Sequence, residues 1–140
     1  MPLPPAWDPP VASVADVPKD DPVVYGAYLA GPLGHCIECH TPMEMGRFDF
    51  ENRAFAGGLH LPLGPDMMVT TANITQDNET GIGAWSDIEI GAAITQGVRP
   101  DGSKIHPIMP SGFYATMEGA DVDALVAFLR TVKPVVNAVK

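Results

Sequence analysis

The chain has 140 residues, 46% of them hydrophobic and 18% charged, enough for one domain with a single core and room for a prosthetic group. Acidic residues outnumber basic ones, Asp+Glu 17 against Lys+Arg 8; the net charge of −9 argues against nucleic acid or an anionic membrane surface as partner and for a protein with a basic patch. No apolar run reaches the length of a membrane span, and Met1-Pro2-Leu3-Pro4-Pro5 has neither the basic nor the apolar region of a secretory signal.

Seven prolines crowd the first 22 residues: Pro2, Pro4, Pro5, Pro9, Pro10, Pro18 and Pro22. Such density forbids a helix and predicts an extended arm over residues 1–22, either an unstructured leader or a segment lying on a partner subunit with Trp7 as its anchor. The folded domain is expected over 23–134, followed by a tail over 135–140. Its first helix should start at Asp21-Pro22, carry Val23, Val24, Ala27 and Tyr28 on one face, and end before Gly31-Pro32. Gly26 within it leaves room for another backbone.

Both cysteines of the chain fall in Cys36-Ile37-Glu38-Cys39-His40, a C-x-x-C-H motif. This spacing is the attachment signal for a c-type haem: each thiol can form a thioether to a vinyl group, and the histidine can bind the iron from one face. The same pair could be a redox dithiol, half a zinc site or a disulfide. A redox dithiol calls for a βαβ context that is missing. Zinc needs four ligands, and His35, His60 and His106 are isolated apart from the first. A disulfide would be strained and would leave His40 unexplained. Covalent haem attachment takes place outside the cytoplasm, so the expected location is the periplasm or the outer face of the inner membrane. The signal or anchor would be absent from this sequence, and any membrane association would run through a partner or that anchor.

Residues 43–80 are punctuated by Gly46, Gly57, Gly58, Pro62, Gly64 and Pro65 and read as irregular loops wrapping a flat cofactor. Met43, Met45, Phe48, Phe50, Phe55, Leu59, Leu61, Leu63, Met67, Met68 and Ile74 would supply the apolar wall. Ser86-Asp87-Ile88-Glu89 is a capping box and opens a second helix, with Ile90, Ala93 and Ile94 on one face and Gly97 as its stop. Pro100-Asp101-Gly102-Ser103 reads as a tight turn. A last helix is expected from about Ala120 to Val132, with Val122, Leu125, Val126, Phe128, Leu129 and Val132 as its apolar stripe, Asp121 and Asp123 at its positive end, Arg130 and Lys133 at its negative end, and Pro134 beyond it.

The second axial position of an iron bound by His40 has several candidates. Met109 lies in His106-Pro107-Ile108-Met109-Pro110, where two prolines stiffen the loop; its thioether is a soft, neutral ligand that raises the potential. Met117 and His106 are the rivals. His35 precedes Cys36 too closely to reach the opposite face, and His60 reads as a loop histidine. Met43, Met45, Met67 and Met68 read as apolar filler.

These stretches resemble the class I cytochromes c, and more closely the haem domains in cytochrome subunits of periplasmic alcohol, aldehyde and related dehydrogenases. Matching segments are Gly26-Ala27-Tyr28-Leu29, His35 to Pro42, Phe55-Ala56-Gly57-Gly58, Thr71-Ala72-Asn73-Ile74-Thr75, Asp77 to Asp87, Gly97 to Gly102, Met109-Pro110 and Asp123 to Arg130. They cover most of residues 23–134 in order. The resemblance implies an all-α fold around one covalent haem c, thioether links at Cys36 and Cys39, and axial ligation by His40 and Met109. It also implies packing of the first helix near Gly26 against the last near Leu125 and Phe128, and Trp85 and Arg99 as partners of the haem propionates. The implied function is one-electron transfer as a non-catalytic partner or subunit of a dehydrogenase, feeding a downstream cytochrome or oxidase. Two features depart from the pattern: relatives often carry several such domains, and Met43 stands where a basic residue often follows Cys-His-Thr-Pro. A haem enzyme or sensor with a displaceable sixth ligand is the competing reading, with His106 as its one acid–base candidate.

Overall fold

The computed structural model describes residues 12–13 and 15–139. Most of the proline-rich arm, with Trp7, lies outside the described residues. Asp21 caps the first helix, α1 (Pro22–Tyr28), its carboxylate accepting from the N–H groups of Val23 and Val24 at 3.0 Å each. Pro22 sits in the first turn, where its missing N–H costs nothing. The helix does not stop before Gly31. It runs on as a π-type turn over Leu29–Leu33, in which the Leu29 carbonyl accepts from the N–H of Gly34 at 2.8 Å. This wider ring takes in Pro32, whose ring would clash in a regular α-turn.

A single turn, α2 (Cys36–Cys39), carries the cysteines. Two small antiparallel hairpins follow. In the first, β1 (Met43–Glu44) pairs with β2 (Arg47–Phe48), turning at Met45-Gly46. In the second, β3 (His60–Gly64) pairs with β4 (Met67–Thr70), with a register shift between Pro62 and Gly64. The helical core was legible in the sequence. The all-α expectation is corrected by these two hairpins within residues 43–80, which their short strands and irregular apolar spacing conceal.

The apolar wall expected from this region is also smaller than its composition suggests. Phe55 is buried, and Phe48, Leu59, Leu61 and Ile74 are half-buried. Met43, Met45, Phe50, Leu63, Met67 and Met68 are exposed.

Helix α3 (Asp87–Gln96) opens on the complete capping box: Ser86 Oγ accepts from Glu89 N–H at 3.3 Å, and Glu89 Oε2 accepts from Ser86 N–H at 2.7 Å. Gly97 ends it in the left-handed region, φ 63°. A short helix, α4 (Ser111–Tyr114), had no signal in the sequence. The last, α5 (Gly119–Leu129), supplies Ala124, Leu125, Val126 and Leu129 to the core. One buried cluster joins Leu29, Ala30, Ala124 and Leu125; the other joins Ile82, Ile90, Val126 and Leu129. Arg130, expected to complement the negative end of α5, instead bonds outward to Asp87 Oδ1 at 2.8 Å, Gln76 Oε1 at 3.0 Å and the Trp85 carbonyl at 2.5 Å, tying α5 to the start of α3.

α1 crosses α5 at Gly26. A methyl there would overlap the Ala124 carbonyl and lie 2.7 Å from Phe128 Cβ, so hydrogen alone permits the approach. Residues 135–137 are bound in as well. Val135 N–H donates to Thr75 Oγ1 (3.1 Å), Asn137 N–H to Thr80 Oγ1 (3.0 Å), and buried Asn73 donates to the Val135 carbonyl (2.8 Å).

Replacing Gly26 by Ala is expected to cost about 2 kcal/mol through overpacking, a fall of roughly 4–8 °C in melting temperature for a domain of this size. Gly119→Ala, where a Cβ meets nothing within 4 Å, should leave melting unchanged or raise it. Thermal melts of the two variants check this; equal losses would refute the close crossing.

Acid should weaken the fold through hydrogen-bonded carboxylates. The hydroxyl and N–H of Thr80 hold Asp77 below its ordinary 3.8, and the Ser86 N–H and hydroxyl hold Glu89 below 4.5. A folded value below the unfolded one stabilises the native state above the ordinary range, and that contribution is lost as pH falls through the folded value. Urea titrations at pH 7 and pH 3 should therefore show a smaller acid loss in Asp77→Asn/Glu89→Gln than in the parent. An unchanged difference would exclude these groups as the cause.

Candidate functional site

The C-x-x-C-H segment lies between two polypeptide crossings that fix its histidine. The His40 carbonyl accepts from Gly57 N–H at 2.6 Å, and its Nδ1 lies 2.7 Å from the Ala72 carbonyl. A carbonyl can only accept, so Nδ1 carries the proton and Nε2 keeps its lone pair. Metal-binding histidines are oriented in this way. Burial pushes the His40 pKa down, and the bond to Ala72 opposes this only in part; a neutral ring is the form that ligates.

Gly57 makes the arrangement possible. Its φ is 70°, and a Cβ there would overlap the Ala72 and Asn73 backbone. Its neighbours reinforce it: Gly58 N–H donates to the Thr71 carbonyl at 2.8 Å, and Phe55 N–H donates to the fully buried Thr41 Oγ1 at 3.1 Å.

Cys36 and Cys39 are free thiols at the two ends of one helical turn, hence on the same side of it. Burial, with a smaller push from Cys39 and Glu38, raises the Cys36 thiol to about 11. A redox dithiol needs a depressed thiol pKa, so Cys36 is tuned the wrong way for one. Among the described residues no three His, Cys, Asp or Glu side chains gather as a zinc site requires. Two thiols, an imidazole with Nε2 free and a segment held at both ends form a donor set that fits a covalently attached haem.

The other histidines have local partners. His35, at φ 53°, faces Glu38 at 3.5 Å; His60 Nδ1 is 3.1 Å from Thr70 Oγ1; His106 Nδ1 accepts from Ile108 N–H at 3.1 Å and is exposed. Met117 packs on the Leu29–Leu125 cluster alongside Cys36. Met109 is half-buried in a turn closed at both ends, its N–H donating to the His106 carbonyl (3.0 Å) and its carbonyl accepting from Ser111 N–H (2.8 Å). Trp85 packs against the Ile82–Leu129 cluster, and its indole N–H makes no hydrogen bond among the described residues. Among the described residues Arg99 bonds through Nη1 alone, donating to Ser103 Oγ (3.2 Å) and the Lys104 carbonyl (2.9 Å).

Nothing in the sequence marks Ala72, Thr41 or Tyr114 as a site residue. Ala72 acts through its carbonyl, which side-chain identity does not announce; Gly57-Gly58 was the one local hint.

The orientation of His40 has a direct test. In nitrogen-15 imidazole spectra the parent should show a single Nδ1-protonated tautomer with slow proton exchange. Gly57→Ala should lose both signs by displacing Ala72. A ring unaffected by that change would show that Ala72 does not hold it.

No protein-family model matches the chain. It is 36% identical over 128 residues, 88% of its length, to the cytochrome c subunit of a quinone-type alcohol dehydrogenase from Gluconacetobacter polyoxogenes. It is 36% identical over 133 residues, 92% of its length, to the gluconate 2-dehydrogenase cytochrome c subunit of Pantoea cypripedii. It is 34% identical over 113 residues, 79% of its length, to the fructose dehydrogenase cytochrome subunit of Gluconobacter japonicus. The matches span 25%, 28% and 21% of these relatives, so the chain corresponds to about a quarter of each.

Proposed function

We propose, for a chain homologous over most of its length to cytochrome c subunits of dehydrogenases, a role as a one-electron carrier with a single covalently attached haem c. The observation that carries this reading is the His40 imidazole, proton-committed to Ala72 and next to two free thiols one turn apart. Haem c, when bound, supplies an iron that gains and loses one electron.

The residues would do the rest. Cys36 and Cys39 anchor the group by thioethers, and His40 presents Nε2 from a ring that cannot rotate without losing the Ala72 carbonyl. Met109 offers a neutral thioether from a closed turn. Trp85, with an indole N–H to donate, and Arg99, with Nε and Nη2 uncommitted among the described residues, suit the propionates. Unchanged ligands in both oxidation states keep reorganisation small.

The partner would be a dehydrogenase subunit, with a downstream cytochrome or oxidase as acceptor, in the periplasm or at the outer face of the inner membrane. The net charge of −9 favours a basic docking surface. Among the described residues no helix is long and apolar enough to cross a membrane.

A haem enzyme or sensor would need a displaceable sixth ligand and a nearby acid–base group. His106, exposed and committed at Nδ1 to its own loop, supports that role poorly.

Absorption spectra decide between the readings. The parent should be low-spin, show a sulfur-to-iron charge-transfer band and ignore carbon monoxide, whereas Met109→Ala should lose the band and bind the gas. A parent that binds carbon monoxide readily would overturn the carrier reading.

A further inference from the structure

Residues 105–117 carry Met109, and residues 29–40 carry the thiols and His40. Among the described residues a single side-chain hydrogen bond joins the two segments: Tyr114 donates its hydroxyl to the Gly34 carbonyl at 3.0 Å, across eighty positions of sequence. Both ends of this bond are held.

Gly34 is locked at the end of the π-type turn by its N–H bond to Leu29. A Cβ at this position would fall 2.6 Å from the Leu29 carbonyl oxygen and 3.4 Å from Cys36 Sγ, so the accepting carbonyl belongs to a backbone with no slack beside the first cysteine. Tyr114 closes α4, which begins two residues after Met109. The other end of α4 is tied to α3: Ser111 is buried, and its hydroxyl donates to the Ala93 carbonyl at 3.4 Å. The segment that starts at Met109 is therefore braced by Ser111 on one side and by Tyr114 on the other.

Tyr114 is half-buried, and burial raises its pKa, so the phenol keeps its proton as a donor. Phe113 beside it is exposed, which shows that α4 turns its tyrosine inward and its phenylalanine out, against their order of polarity. A core-packing role alone would have been served by the reverse arrangement.

We propose that Tyr114 is a positioning residue that latches the Met109 segment to the attachment turn and so holds the methionine on the iron against displacement. This rests on the reading of Met109 as the sixth ligand. The latch touches no reacting atom. It would act by linking the segment that carries Met109 to the one that carries His40, so that withdrawal of Met109 would also break the Tyr114–Gly34 bond or strain α4.

The test uses the full-length, haem-loaded ferric protein, with imidazole as the competing ligand. Tyr114→Phe removes one oxygen and keeps the ring, so the fold and the charge-transfer band at neutral pH should persist. Imidazole should then bind roughly three- to tenfold more tightly, the factor expected from one net hydrogen bond, with the gain in the rate at which it displaces the band. Tyr25→Phe, whose hydroxyl makes no bond to the Met109 segment, should bind imidazole as the parent does.

If Tyr114→Phe lowers the melting temperature but leaves imidazole affinity and displacement rate at parental values, the residue is merely structural and the latch is refuted. If Met109→Ala retains the band and the parental imidazole affinity, the ligand assignment itself fails, an outcome separable from any behaviour of Tyr114.

Discussion

The arrangement turns on one imidazole held by a carbonyl from thirty-two residues downstream. That bond needs the Ala72 backbone to lie directly against Gly57, and Gly57 to bring its own N–H onto the His40 carbonyl. Three strands of chain thus meet at one residue pair, and no side chain larger than hydrogen fits between them. The neighbouring bonds, Gly58 to Thr71 and Phe55 to Thr41, extend the same junction. A histidine ring at the end of a short, mostly half-buried turn gains its fixed orientation from a backbone carbonyl, where rotamer freedom cannot loosen the partner.

The helical frame brings the ends of the described chain together around this junction. α1 and α5 touch through Gly26 and Ala124, and the π-type turn after α1 leads directly into the attachment segment. α5 then serves both core clusters, and Phe128 at its crossing meets Phe55 edge-on at 5.7 Å. Beyond α5 the chain turns back, and Asn73, Thr75 and Thr80 take residues 135–137 into the loop that carries Ala72. The carbonyl that orients His40 is therefore supported from the far end of the sequence.

Local signals were readable and nonlocal ones were not. The Ser86–Glu89 box, the Gly97 stop and the Asp21 cap each depend on residues within a few positions, and each appears where its residues predict. Gly26 was legible as a close approach because a glycine in a helix has few other uses. The π-type turn was hidden because Gly31-Pro32 is the usual mark of an ending, and an i+5 bond from Gly34 to Leu29 carries the helix past it. The hairpins were hidden by their brevity and by methionines at Met43, Met67 and Met68 that read as core yet face outward. Composition alone assigns such side chains to a wall; only pairing register reveals which side they take. At the site, the thiols and His40 declared themselves by spacing, whereas Ala72 and Tyr114 act through bonds spanning 32 and 80 positions.

Backbone strain is gathered at the same place. Among the described residues three non-glycine residues have positive φ: His35, Met45 and Phe55. Met45 occupies an exposed hairpin turn, where such a conformation is ordinary. Of the other two, His35 directly precedes the attachment segment and Phe55 bonds back to Thr41 just after it. His35 turns the chain into Cys36, and Phe55, an aromatic residue for which this region is a true outlier, presents its N–H to Thr41 and its carbonyl to Ile74. Each such residue costs on the order of 1–3 kcal/mol and persists only where its surroundings overdetermine it. Around Phe55 those surroundings are the ring of Phe128, the buried Thr41 hydroxyl and the Gly57 junction. The strain at Phe55 and the contacts that offset it thus bear on Thr41 and Gly57, the residues that adjoin and bond His40. A carrier whose ligands must not move between oxidation states would need stiffness in that location, and the bonds from Thr41, Gly57 and Ala72 hold the chain where the histidine leaves it.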